Sequence, residues 1–324
     1  MRKNKVKVVI WGFGAMGSGM AKMILKKEGF EIVGVCDINP NYIGKSLFEI
    51  LNITNANQDD VMIMPNIEDV VKEASCDICL LATDSFTANA FPKIKFLLEK
   101  KVNVISTAEE MSYPQANQVE LAKIMNQIAK ANGVSVLGTG VNPGMMMDLL
   151  VIFLTGVMSD IESIEVSRIN SLSPYGKTVM NEQGVGLTIN EFYNKMYNGE
   201  LAGHVGFNES IMMIGDALGI NIDKIKQHMT PIITSIDRKS EHGFAKKGDV
   251  AGVKMSAEGF IGEKEFIKMN HPQQIEPHLD GVSTGDYINI KGTPNINLSI
   301  TPEVHGGIGT IAICASGVID KRKD

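Results

Sequence analysis

Val6-Lys7-Val8-Val9-Ile10-Trp11-Gly12-Phe13-Gly14-Ala15-Met16-Gly17 is the stretch that decides the fold. Val6 to Ile10 is an apolar run, as expected of a strand covered on both faces in a parallel sheet. It enters a Gly-x-Gly-x-x-Gly turn, after which Met20, Met23 and Ile24 recur at helical spacing. Glu31 to Cys36 then reads as a second strand, ending at Asp37, twenty residues past Gly17. In a β-α-β unit of this kind Gly12 permits the tight turn, Gly14 lets a pyrophosphate approach the backbone, and Gly17 lets helix and strand pack closely. The turn through Phe13, Ala15 and Met16 leads into a helix N-terminus whose free N–H groups and partial positive charge suit phosphates. Asp37 is placed to hydrogen-bond the adenosine ribose hydroxyls. It would repel a 2′-phosphate, and Ile38-Asn39-Pro40 offers no Arg to offset that, so NAD is the expected cofactor.

Outward from this unit, Ile78 to Ala82, Val102 to Ser106 and Val134 to Leu137 are further apolar runs separated by helical segments. Strands alternating with helices imply right-handed crossovers and a doubly wound sheet. Ligands of such sheets bind at the carboxyl ends of the strands, so Ala82, Thr83, Asn142 and Pro143 join the expected cofactor-binding residues. The alternation fails after about residue 150. Asn142-Pro143 reads as an N-cap with Pro at the first helical position, opening a helix from about Gly144 to Val157. Ile161 to Ile169, Pro231 to Ile236, Val250 to Phe260, Glu265 to Met269, Tyr287 to Ile290 and Ile296 to Ile300 follow as strands with few helices between them. The expected fold is therefore α/β: an N-terminal Rossmann-type doubly wound parallel sheet over 1–145 and a second α+β domain on an open mixed sheet over 146–300. A helical tail, 301–324, is expected to return to the first domain.

Composition narrows the function classes. The 324 residues carry 31 Lys+Arg against 37 Asp+Glu, a net charge of −6, and are 44% hydrophobic. That is a globular composition, and it lacks the basic face that nucleic acid or an anionic membrane would require. Gly144 to Met158, interrupted by Asp148, is too short to span a bilayer. The four cysteines follow no disulfide pattern and point to a cytoplasmic protein.

Two motifs are decoys. Cys76-Asp77-Ile78-Cys79 matches CxxC, but on a strand an offset of three sends the thiols to opposite faces, so buried thiols are expected and no metal site. Gly281-Val282-Ser283-Thr284-Gly285 matches the hydrolase elbow GxSxG, yet strand-like Tyr287-Ile288-Asn289-Ile290 follows where a helix is needed. The stronger candidates are Glu109-Glu110, directly after the strand ending near Ser106. A carboxylate at that sheet edge can act as a general base. If the chain there is extended, only one of the two faces a ligand; alternatively both are the acidic start of a helix near Pro114. In the second domain Arg168 and Asn170 share one face of a strand, and His204 lies in the glycine-flanked loop before a helix near Asn208.

With these residues in place, the chain resembles the 2,4-diaminopentanoate dehydrogenases and the related native amine dehydrogenases. The likeness is carried by Gly12–Gly17, Ser106-Thr107-Ala108-Glu109-Glu110, Gly138-Thr139-Gly140-Val141-Asn142-Pro143-Gly144 with Asp148, and 203–210. It implies a homodimer with a first domain like that of dihydrodipicolinate reductase, acting on a small amine or amino acid by removing hydride from its amine-bearing carbon. It also implies that Glu109 is catalytic, that Arg168, Asn170 and His204 bind the substrate, and that NADP is accepted beside NAD; a planar guanidinium makes Arg168 the candidate for the substrate carboxylate. Dihydrodipicolinate reductase itself is a poorer match, because its paired-His and Lys signature before a DAPSGT-like segment is absent. A cofactor-binding regulatory protein without turnover is the alternative from outside enzymology.

Overall fold

In the computed structural model, residues 4–54 and 58–318 are described. The chain divides into two compact units, one running to Met145 and resuming at Gly306, the other spanning Met146–His305.

The first unit is a layered α/β structure. Its strands are β1 (Val6–Trp11), β2 (Phe30–Cys36), β3 (Ile63–Met64), β4 (Ile78–Leu81), β5 (Asn103–Ser106) and β6 (Val136–Gly138). They pair in the order β3-β2-β1-β4-β5-β6, every pairing parallel. The sequence explains why: Val8, Val9 and Ile10 are fully buried, so β1 needs helices on both faces. Those helices are α1 (Ala15–Ile24), α2 (Leu47–Leu51), α3 (Ile67–Val70), α4 (Thr87–Glu99) and α5 (Val119–Asn132). Two apolar clusters result, one on each side of the sheet, with Val8 and Ile10 in one and Val9 in the other. The strand order reverses between β1 and β4. In open α/β sheets that reversal marks the ligand crevice, at the carboxyl ends of the two strands.

The second unit contains α6 (Leu149–Thr155), β7 (Asp160–Ser171), α7 (Lys177–Glu182), α8 (Ile189–Tyr197), α9 (Phe207–Leu218), β8 (Lys224–Ile233), β9 (Arg238–Lys239), β10 (Phe244–Ala245), β11 (Val250–Ile261), β12 (Lys264–Gln274), β13 (Gly285–Thr293) and β14 (Ile296–Ile300). Its main sheet, β14-β13-β7-β12-β11-β8, is antiparallel except for the β7–β12 pair. One face carries Ile164, Val166, Ile267, Met269, Ile288 and Ile290 against Val151, Phe192, Phe207, Ile211 and Ile214 from the helices. The last helix, α10 (Gly306–Ser316), belongs to the first unit, where Cys314 and Ala315 join the cluster of β1 and α1. The fold class is the one expected. Among the described residues no helix is long and apolar enough to cross a membrane.

Local expectations change in four places. The helix expected from Gly144 starts only at Leu149, because Gly144 sits at φ +118° and Asp148 supplies the cap, accepting the Leu149 N–H at 2.6 Å. Asn142-Pro143 is a cis peptide in the preceding turn, not a helix start. The helix expected near Pro114 begins at Val119, and Glu109–Ser112 form a short 3-10 turn instead. The strand placed at Pro231 to Ile236 begins at Lys224; it is an edge strand whose outward residues are polar, so no apolar run marks it. Helices α7 and α8 were not expected; the Thr188–Glu191 capping box that starts α8 was their readable sign.

Candidate functional site

In the first unit the carboxyl edge of the sheet gathers the glycine turn, Asp37, Ala82–Ser85 and the Glu109 turn. Gly12 must be glycine twice over: φ is +92°, and a Cβ there would lie 2.5 Å from the Ala82 carbonyl oxygen. A Cβ on Gly17 would stand 1.8 Å from the Gly12 carbonyl oxygen. Gly14 differs, because a Cβ built on it meets nothing within 4 Å. It is the N-cap of α1 and has no side chain to satisfy the helix N–H groups. Open space over an uncapped, glycine-lined helix start fits a pyrophosphate, which would take those N–H groups as its donors.

Asp37 follows β2 and faces the same turn. Its Oδ2 accepts the Phe13 N–H and its Oδ1 the Asn39 N–H, the latter at 2.7 Å. The carboxylate is thereby fixed at the end of β2, where an adenosine ribose would be read. Beyond β4, the Thr83 hydroxyl bonds Asp84, and Lys93 Nζ reaches Thr83 Oγ1 at 3.1 Å and Asp84 Oδ2 at 2.6 Å. Beyond β6, the Thr310 hydroxyl of α10 accepts the Val141 N–H at 3.1 Å, just before Asn142 and Pro143.

The two neighbouring glutamates have different jobs. Glu110 is buried and structural: its Oε2 accepts the Thr87 N–H at the start of α4 at 2.8 Å, and its own N–H donates to the Ser85 carbonyl at 3.1 Å. Glu109 is held by the same turn, with the Ser112 hydroxyl donating to its carbonyl at 2.8 Å. Its carboxyl is largely desolvated, which pushes its pKa above the usual carboxylate range, and Oε2 is buried with no partner among the described residues. A buried carboxylate with a spare oxygen at a ligand edge has the properties of a general base. The 3-10 turn separates the pair, a geometry that an extended chain would not have required.

The decoy motifs remain structural. Cys76 and Cys79 are free, buried thiols, burial pushing Cys76 up to about 11. Gly281–Gly285 leads from a short 3-10 turn into β13, so no helix follows Ser283.

In the second unit Arg168 and Asn170 do share a face, and the register adds to them. Arg168 stands opposite Asp286 on β13, Asn170 opposite Gln273 on β12, and His271 opposite Met255 on β11. All but Met255 are polar and all are buried, so the covered face turns from apolar to polar at one end. The Arg168 guanidinium is already engaged: it pairs with Asp286 through Nη1 and donates to the Val304 carbonyl through Nη2. Asp286 in turn accepts the Val304 N–H at 2.8 Å. Those donors cannot serve a carboxylate without breaking a buried ion pair, so the geometry favours Arg168 as the brace of this face over a carboxylate ligand.

His204 packs edge-on to His271, ring centroids 4.8 Å apart. Burial, then the Arg168 charge, pushes His204 down to about 3; burial, then His204 and Arg168, pushes His271 well down too. His271 Nδ1 lies 2.8 Å from the Arg168 carbonyl oxygen, so in the neutral ring Nδ1 carries the proton. His271, Asp286 and Gln183 were missed from the sequence.

The two neutral histidines make stability depend on pH. The unfolded chain protonates them near pH 6.5 while the fold does not, so unfolding takes up protons as pH falls below 6.5, and stability drops toward the His204 value of about 3. Each contributes up to ~1.4 kcal/mol per pH unit. Urea midpoints at pH 7.5 and 5.5 should fall on acidification, and His204→Gln should shrink that fall. An unchanged fall in the variant would reject the assignment.

With this geometry in view, comparisons place the chain. It is 55% identical over 97% of its length to 2,4-diaminopentanoate dehydrogenase of Acetoanaerobium sticklandii, covering 88% of that protein, and residues 145–320 match the 2,4-diaminopentanoate dehydrogenase C-terminal domain. The chain belongs to the 2,4-diaminopentanoate dehydrogenase family. Residues 6–133 match the dihydrodipicolinate reductase N-terminus. An amine dehydrogenase of Streptomyces virginiae is 21% identical over 91% of the chain and 84% of its own length. The amine dehydrogenase structure from Mycobacterium smegmatis, 23% identical, shares the fold with a TM-score of 0.82 over 97% of this chain and 91% of that one. As a family member with a dinucleotide-type first unit, the protein is an oxidoreductase that uses a nicotinamide dinucleotide.

Proposed function

We propose that the protein oxidatively deaminates 2,4-diaminopentanoate at C4, giving 2-amino-4-oxopentanoate, ammonia and reduced cofactor, and that it runs in reverse as a reductive amination. The observation that carries this reading is the 55% identity across nearly the whole chain. The buried Glu109 carboxyl at the ligand edge supplies a base suited to it. An ammonium group has no lone pair to expel a hydride, so Glu109 takes a proton from it first. A bound nicotinamide would supply the acceptor for the hydride of C4. Once Glu109 has released that first proton to solvent, its carboxylate removes a proton from the water that attacks the resulting iminium. In this reading Gly12–Gly17, Asp37, Ala82, Thr83, Asn142 and Pro143 hold the dinucleotide. The protein works in the cytoplasm as a homodimer.

The test is a panel of initial rates with 2,4-diaminopentanoate, ornithine, 4-aminopentanoate, meso-diaminopimelate and alanine. 2,4-Diaminopentanoate should lead. Comparable rates across the panel would make this a broader amine dehydrogenase, and no turnover of any member would reject deamination.

The second expectation concerns the nucleotide. Asp37, held at the ribose end with no nearby Arg in Ile38-Asn39-Pro40, favours NAD over NADP. A kcat/KM for NADP more than about tenfold above that for NAD would overturn this use of Asp37.

A further inference from the structure

Among the described residues, two buried side-chain oxygens of the second unit stand without partners: Gln183 Oε1 and Asn170 Oδ1. We infer that Gln183 and Asn170 form an acceptor pair that receives the second, non-reacting ammonium group of a diamino acid substrate. The inference rests on the deamination reading above and adds the group by which the substrate is selected.

Both side chains are more than nine-tenths buried, Gln183 at 6% exposure and Asn170 at 5%. An amide oxygen left unbonded there loses its hydration with nothing in return, which native structures rarely tolerate outside functional sites. The identity of the bare atom is fixed by chemistry. Gln183 Nε2 donates to the Gly203 carbonyl at 2.9 Å and Asn170 Nδ2 points to the Ser171 carbonyl at 3.4 Å. A carbonyl partner demands the NH2 side of each amide, so in both cases the oxygen faces away and is the unused group.

A chain of contacts links the two. Gly203, which Gln183 holds, lies against Met255, as a Cβ on Gly203 would come within 3.0 Å of that side chain. Met255 is opposite His271, and His271 bonds the carbonyl of Arg168, two residues before Asn170 on the same face. His204, next in sequence to Gly203, touches His271.

The chemistry of this end of the sheet selects the ligand. The Arg168 charge is matched by Asp286, with Nη1 bonded to that carboxylate and Nη2 to the Val304 carbonyl, while His204 and His271 stay uncharged. The bare atoms at this end, Gln183 Oε1 and Asn170 Oδ1, are acceptors. A carboxylate brings only acceptors of its own, whereas an ammonium brings three N–H donors and no acceptor. Hydrogen bonds to a charged donor are also the stronger kind, so two amide oxygens can give real discrimination.

The experiment compares 2,4-diaminopentanoate with 4-aminopentanoate, which keeps the reacting amine and the carboxylate but lacks the second amine. The readout is the ratio of kcat/KM for the two substrates. Wild type should favour the diamino compound, and Gln183→Leu and Asn170→Leu should each lower that ratio by roughly 10–100-fold, the worth of a lost charge-assisted hydrogen bond. Gln183→Met, which keeps the length without the carbonyl, takes the place of Leu if that variant does not fold. A ratio unchanged in the variants, whether both rates hold or both fall together, would make these residues structural and overturn the inference. If wild type turns over neither compound, deamination fails separately, and calorimetric binding of each compound to the NADH-loaded protein decides. Preferential binding of the diamino compound that the variants lose supports the pair. Equal binding, or none, overturns it.

Discussion

Glu109→Gln should slow the oxidation of 2,4-diaminopentanoate by roughly 10²–10⁴-fold, the usual worth of a general base. The amide keeps the size and leaves the glycine turn untouched, so the KM for NAD should hardly move and the loss should fall on kcat. Burial holds the Glu109 carboxyl above the usual carboxylate range. The working form is the carboxylate, so wild-type kcat/KM should fall as pH drops through that raised value, and this acidic limb should vanish in the variant. Stability should move the other way. A carboxyl whose folded pKa is raised binds its proton more tightly in the fold, so at pH 8 its charged form weakens the fold and a neutral amide should melt at the same temperature or higher. Glu110→Gln should cost far less activity, because an amide oxygen can still accept the Thr87 N–H. A reversed order of the two variants would move the base to Glu110. Loss of activity with a lowered melting temperature in Glu109→Gln would make Glu109 a structural residue.

The first unit was legible because its signals are local. One apolar run, three glycines at fixed offsets and an acid at the next strand end all lie within some thirty residues, and each has a single physical use. Glu109 was legible as a candidate for the same reason, sitting a few residues past a readable strand. Its separation from Glu110 was not, since a 3-10 turn and a pairing to Thr87 over 23 positions leave no mark on adjacent residues.

The second unit shows what a single sequence hides. Each of three strands carries an apolar alternation that ends in polar residues: Ile164, Val166, Arg168, Asn170; Ile267, Met269, His271, Gln273; and Ile290, Ile288, Asp286. The switch is readable on every strand taken alone. That the three switches coincide depends on register between residues more than a hundred positions apart, such as Arg168 with Asp286. Register also changed the meaning of Arg168. On its own strand it is a cation looking for an anion, and Asp286, the anion it meets, belongs to the fold. Gln183 was beyond reach altogether, standing at the end of a short helix with no apolar periodicity to announce it, its side chain joined to the Gly203 carbonyl twenty residues on.

Gly14→Val and Gly17→Val should separate cofactor binding from folding. The two glycines lie three residues apart in one motif, but the structure gives them opposite surroundings. At Gly17 a Cβ would sit 1.8 Å from the Gly12 carbonyl oxygen, and Gly12 has little room to retreat, since a Cβ on it would lie 2.5 Å from the Ala82 carbonyl oxygen. Val there must push the turn off β4, so the melting temperature should drop by several degrees, as overpacking by about 1–3 kcal/mol does, and nucleotide binding should be lost along with the turn. At Gly14 the φ of −69° suits any L-residue and the space beyond is open. Val is therefore tolerated by the protein, and the melting temperature without nucleotide should stay within about a degree of wild type, as for a surface substitution. Its methyl groups occupy the volume over the start of α1, where a pyrophosphate must come close to take the N–H groups. The KM for NAD should rise by roughly 10–100-fold, matching the loss of one or two charge-assisted hydrogen bonds. The stabilisation that saturating NAD gives wild type should shrink in proportion. If Gly14→Val binds NAD as wild type does, the dinucleotide lies elsewhere and the glycine turn is only a tight corner. A melting loss equal to that of Gly17→Val would mean that the space over Gly14 serves the fold.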